Sequence, residues 1–219
     1  YDVYHEIHER RRDVSGEEQD ELRQSMEEIP DSLDQEDMLL QSYDRLGQSM
    51  EKILEHSYEK EMITSDELRG LKQLRTGMIF QSSRAGRYSY DVPVVTGDQV
   101  TTMNVTLIQG EEDTGRVQIY MDNISAEFRV QQGEIKGLVL CDDREGYDTL
   151  SGDGEKLTQA LQQDGYNVKN ISYSMNHRSR VEAMTSKAGE KGPSPSLYRI
   201  AKTVVRYVMD TMKQDDTDL

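Results

Sequence analysis

Apolar residues in the first third of the chain recur at helical spacing, and from about position 86 the rhythm changes to alternation. Leu39, Tyr43, Leu46, Met50 and Ile53 step by four, three, four and three. That is one stripe of an amphipathic helix over 36–62, and Leu40, Leu54 and Tyr58 widen it. Thr64-Ser65-Asp66-Glu67 reads as a capping box opening a second helix through Leu68, Leu71, Arg75, Met78 and Ile79 to Phe80. The two predict an antiparallel helical hairpin over 36–80, turning near Ile63. Upstream, Leu22, Met26 and Ile29 keep helical spacing until Pro30 stops it. Residues 1–35 therefore read as a flexible charged lead-in with a short or frayed helix.

The alternating part predicts strands. Tyr88, Tyr90, Val92 and Val94 share one face, Thr96-Gly97-Asp98 turns, and Met103, Val105 and Leu107 return. Pro93 assigns the first of these strands to an edge or a bulge. Val117, Ile119 and Met121 alternate next, Asp122-Asn123 turns, and Ala126, Phe128 and Val130 alternate back. Ile135 and Leu138-Val139-Leu140-Cys141 make another strand. A helix over 155–164 buries Leu157, Ala160 and Leu161, starts at a cap from Asp153 or Ser151, and stops at Gly165 in a Schellman-type end. Ile171, Tyr173 and Met175 form the closing strand. After a linker over 176–196, Ser194-Pro195 opens a C-terminal helix over 197–213, and 214–219 is an acidic tail. The fold class is α+β: the helical hairpin, a mostly antiparallel sheet of five or six strands over 86–175 with one covering helix, and the C-terminal helix.

Composition narrows the functions this fold can serve. Lys and Arg total 26 against 42 Asp and Glu, a net charge of −16. Such a field repels phosphate backbones and anionic lipid surfaces, so nucleic acid is not an expected partner. No apolar run approaches the ~20 residues that cross a bilayer, and membrane insertion is not expected. A single cysteine, Cys141, cannot form an internal disulfide, which fits a cytoplasmic protein. The chain opens on Tyr1 rather than Met, as a trimmed fragment does.

Candidate chemistry is sparse. His5 and His8 are three apart, a spacing that could share a metal on a helix, but no third ligand is evident and solvated histidines are expected. Asp142-Asp143 follow an apolar strand, where magnesium-dependent phosphoryl-transfer enzymes hold carboxylates. Neither a phosphate cradle nor a nucleophile accompanies them. They read as a solvated strand end, with a metal-dependent hydrolase as an alternative. Cys141 beside them reads as a small core residue, its thiolate disfavoured by the neighbouring acids. Neither a cofactor site nor a metal site is expected, and the chain reads as non-enzymatic. A generic scaffold that self-associates through its helices, using the Leu39–Ile53 seam and 197–213, is a further alternative.

The segments GRVQIYMDNISAEFRV (115–130) and GEKLTQALQQDGYNVKNISYS (154–174) resemble the C-terminal domain of flagellar hook-length control proteins. Gly115-Arg116-Val117-Gln118-Ile119 resembles that family's Gly-led signature strand. Leu157 and Leu161 resemble its helix, and Gly165-Tyr166-Asn167-Val168 its entry to the last strand. The family's Pro-containing lead-in is replaced here by Glu111-Glu112-Asp113-Thr114. The resemblance implies a protein of the flagellar type III export apparatus, itself exported during hook assembly. Its partner would be the cytoplasmic domain of the export gate, which it switches from hook to filament substrates. Gly115, Val117, Ile119, Leu157, Leu161 and Gly165 are the residues the resemblance singles out, as signature core or partner contact.

Overall fold

The computed structural model describes residues 3–10, 14–60, 63–69, 87–96, 99–111, 113–175 and 192–215. The elements in chain order are α1 (Val3–Arg10), α2 (Gly16–Asp31), α3 (Glu36–Glu59), β1 (Arg87–Thr96), β2 (Gln99–Gln109), β3 (Thr114–Met121), β4 (Ile124–Gln131) and β5 (Glu134–Cys141). They are followed by α4 (Arg144–Gly152), α5 (Gly154–Gln163), β6 (Asn167–Met175) and α6 (Pro195–Asp215). The protein is α+β, with a six-stranded sheet whose spatial order follows the chain from β1 to β6. The chain divides into two compact units: Tyr1–Gln81 with Asp91–Thr102, and Ser82–Tyr90 with Met103–Leu219.

In the first unit the lead-in is more ordered than its charge suggests. Ser15 opens α2 with a full capping box: its hydroxyl accepts from Glu18 N, and the Glu18 carboxylate accepts from Ser15 N. The helix runs through Pro30, which lies in its last turn and is buried. Leu22, Met26 and Ile29 are fully buried, as are Leu39, Ile53 and Leu54 on α3. Burying each such side chain is worth about 1.5–3 kcal/mol, which outweighs the repulsion among the surface acids. Glu28–Arg45 (3.0 Å), Ser25–Ser49 (3.1 Å) and Glu21–Lys52 (2.7 Å) pair in descending against ascending order, so α2 and α3 are antiparallel. Within the described residues α3 thus forms a hairpin with α2, upstream of it. Leu40 and Tyr58, expected to widen the α3 stripe, are exposed at 47% and 45%.

Thr64 and Glu67 form the expected capping box, with Thr64 N and Oγ1 each 2.8 Å from the Glu67 carboxylate. Residues 65–69 are helical. The rest of the second helix expected to Phe80 lies outside the described residues, as do 176–191 of the expected linker and 216–219 of the expected tail, while the C-terminal helix takes in Pro195 and extends to Asp215. His8 is buried while His5 is exposed, which corrects the expectation of two solvated histidines. The cause is that α1 packs on α3, burying Tyr4 and Ile7 beside His8. Tyr4 and Tyr43 both donate to the Asp91 carbonyl, at 2.7 and 2.9 Å.

In the second unit β2, β3, β4 and β5 pair antiparallel, and β6 adds parallel to β5. A parallel neighbour needs a crossover, and α4 and α5 supply it. The Gln132-Gly133 turn between β4 and β5 has φ of 50° and 77°, the left-handed pair of a two-residue hairpin. Pro93 lies in β1, an edge strand, as expected. Two helices, rather than the expected one, fill the crossover. The unexpected α4 starts at Asp143, whose carboxylate accepts from Gly146 N at 2.7 Å. Asp153 precedes α5 without a side-chain cap, contrary to expectation, and its carboxylate instead pairs with Lys156 at 2.7 Å. At the other end α5 stops as expected. Tyr166 N bonds Leu161 O and Gly165 N bonds Gln162 O, with Gly165 at φ +90°.

Candidate interaction surface

Strand alternation sends the residues of β3–β5 to two faces with different chemistry. On one, Leu107, Val117, Phe128, Gly137 and Ile171 form a continuous row across β2 to β6. Val105, Ile119, Ala126, Val139 and Tyr173 form the next. The Phe128 ring occupies the place of a side chain at Gly137, where an added Cβ would lie 2.6 Å from it. At Gly115 an added Cβ would meet the Leu197 side chain at 2.7 Å, so glycine there lets α6 lie close on β3. Tyrosines tie this face together. Tyr207 donates to the Leu150 carbonyl and lies 3.5 Å from the Tyr173 hydroxyl, and Tyr90 and Tyr198 hydroxyls meet at 2.7 Å.

Val117, Ile119, Leu157 and Leu161 are fully buried in this core. Gly115 is buried under α6, and Gly165 is an exposed helix stop. The residues singled out by the resemblance are therefore framework: four fill the core, one permits a close approach and one ends a helix.

The opposite face carries the polar residues of the same strands. Thr106, Gln118 and Glu127 lie side by side across β2, β3 and β4, all buried. Glu127 accepts from Gln118 Nε2 at 2.9 Å and from Arg129 Nε at 2.6 Å. Burial pushes the Glu127 carboxyl up, but these bonds and the Arg129 and Arg116 charges outweigh it, leaving it below its ordinary 4.5. The next row is basic: Arg116 pairs in register with Arg129, and Arg129 with Lys136. Adjacent like charges on one face repel. Glu127 offsets part of this, while the Arg116 Nη1 is buried with no hydrogen-bond partner among the described residues. Leu138, exposed at 39%, flanks the row on β5.

Asp142 is exposed, and the Asp143 carboxylate is engaged in capping α4. Among the described residues no group of three or more His, Cys, Asp or Glu is arranged to hold a metal ion. Cys141 is fully buried, and its thiol is pushed up to about 11 by burial and then by Asp143 and Asp142. Burial likewise raises Tyr173 and Tyr207. No described helix is long and apolar enough to cross a membrane.

The basic row was not anticipated from the sequence. Arg116, Arg129 and Lys136 are far apart in the chain, and only the register of three strands aligns them. The one available signal was their shared parity, each opposite the apolar alternating residues of its strand that include Val117, Phe128 and Ile135. Comparison of the chain with protein families, curated proteins and solved structures yields no match.

Proposed function

We propose that this chain is a non-enzymatic interaction domain of the hook-length-control kind. It engages the cytoplasmic domain of the flagellar type III export gate and helps switch it from hook to filament substrates. The partner comes from the resemblance of 115–130 and 154–174. The observation that carries the interaction reading is the Arg116–Arg129–Lys136 row, set on the strands that bear the resemblance, with Arg129 and Lys136 exposed on the face opposite the helix-covered core. In a chain of net charge −16, cations gathered in one row are a local departure that favours an acidic partner surface.

Other readings have less support. The Leu39–Ile53 seam is buried within the chain in the α2–α3 pair, so it is not a free surface for a second copy. The hydrolase reading needs both Asp142 and Asp143 free, and Asp143 caps a helix. The proposal puts the protein's action on the cytoplasmic side of the gate, with export of the protein itself as part of the same reading.

Calorimetry with the purified gate cytoplasmic domain tests it. Binding is expected, weakened about tenfold or more by Lys136→Glu combined with Arg129→Gln. A deletion strain is expected to lose control of hook length and motility. Absence of binding together with normal hooks and swimming would overturn the proposal.

A further inference from the structure

The two edges of the sheet are protected differently. β1 carries Pro93, which lacks the N–H a new strand would need. β6 closes the other edge, and among the described residues no strand pairs with its outer side. Its stretch Asn170-Ile171-Ser172-Tyr173-Ser174-Met175 has no proline, no glycine and no charge. Its one charged residue, Lys169, lies at the register shift before this stretch and pairs with Glu134 at 2.9 Å. Natural sheets blunt exposed edges with charge, proline or bulges, and this stretch has none of them.

Beside this edge lies a groove of about 520 Å³ lined by Ser151, Glu155, Thr158 and Gln162 from the crossover helices and by Ile171 and Tyr173 from β6. Ile171 and Tyr173 belong to the helix-covered face, and both are only partly buried. A strand added to β6 would run about 4.8 Å outside it, and every second side chain would turn toward this groove. Backbone pairing and side-chain pocket are thus offered together, as strand addition requires.

We propose that β6 is a docking edge for an extended segment of another protein, which adds as a seventh strand and sets alternate side chains into the groove. Charge decides the occupant. The groove's one ionised side chain is Glu155, exposed and in no ion pair among the described residues, and the whole chain carries −16. A second copy brings another −16 to the edge and is repelled, whereas a segment with Lys or Arg at alternate positions is attracted. This surface is separate from the basic row, and the inference stands whether or not the export gate is the partner.

The probe is an acetylated, amidated nonapeptide of alternating Lys and Val, titrated into the full chain by fluorescence anisotropy. Two further peptides carry N-methyl groups on every Val or on every Lys, keeping the charge while removing ladder donors of one parity. Strand addition predicts that one methylated peptide loses about tenfold or more in affinity while the other binds like the parent. It also predicts slowed amide exchange at 170–175 in the complex, and weaker binding by Gln162→Trp, which fills the groove from an exposed position. Equal binding of all three peptides would mean adsorption to an acidic surface and would overturn the proposal, as would no binding at all. A two-chain mass by light scattering, lost in Ser172→Lys/Ser174→Lys, would assign the edge to a second copy and equally overturn it.

Discussion

The two faces of β3 and β4 are built from interleaved residues of the same short segments, yet they obey different rules. Val117, Ile119, Ala126 and Phe128 meet apolar neighbours, and their contribution follows the area they bury. Arg116, Gln118, Glu127 and Arg129, each one residue along, belong to a face where hydrogen bonding and charge decide the energy. One face holds the second unit together. The other carries a row of cations, part of whose charge Glu127 offsets. Function is therefore sought first at the exposed polar positions of the second face, Arg129 and Lys136, which the apolar core does not use.

Breaking the apolar face should have the largest effect. Phe128→Ala removes a fully buried ring and the filling of the Gly137 gap, and should cost about 3–5 kcal/mol, read as the urea midpoint. A loss under about 1 kcal/mol would mean that the two faces are not energetically distinct.

The buried acid on the other face should rank next. Glu127→Ala leaves Gln118 and the Arg129 guanidinium without their acceptor and should cost about 1–3 kcal/mol. Its pH dependence has a definite sign. A carboxyl held below 4.5 in the folded chain contributes stability that is fully present above 4.5 and is lost as pH falls through the lower folded value. Urea midpoints from pH 7 downward should fall more steeply for the parent than for Glu127→Gln in the range from 4.5 down to the lower folded value. Identical slopes would remove Glu127 from the account.

Smallest should be the effect of Lys136→Glu on stability, within about 0.5 kcal/mol, because the side chain is exposed and makes no ion pair among the described residues. The same substitution should weaken binding of an acidic partner. A variant that unfolds the protein would show that the row is structural.

How much was legible in the sequence differs by element. The α3 stripe, the Thr64–Glu67 box, the β3–β4 alternation and the Gly165 helix stop were all readable, since each depends on residues a few positions apart. The helix α4 was not. Arg144–Gly152 holds two glycines and buries only Leu150, so its periodicity is weak, and its best signal was Asp143 as a cap. The order within 16–31 was hidden by charge, because Leu22, Met26 and Ile29 make a narrow stripe whose stability depends on α3.

The candidate surfaces were less legible than the elements that carry them. Of the six residues singled out by resemblance, four lie in the core, Gly115 allows a close approach and Gly165 ends a helix. The basic row and the open edge of β6 depend on which strands are neighbours, and no local pattern states that.

The α+β class, the alternation that separates core from surface on each strand, and the local caps and turns followed from residues near one another in the chain. Hydrogen bonds within a turn and side-chain period are set by adjacent residues, so they survive without tertiary context. The pairing of α2 with α3, the parallel addition of β6 to β5, and the alignment of Arg116, Arg129 and Lys136 in one row came from long-range packing. Those outcomes rest on strand register and helix pairing, which are selected by burying apolar surface contributed from distant parts of the chain.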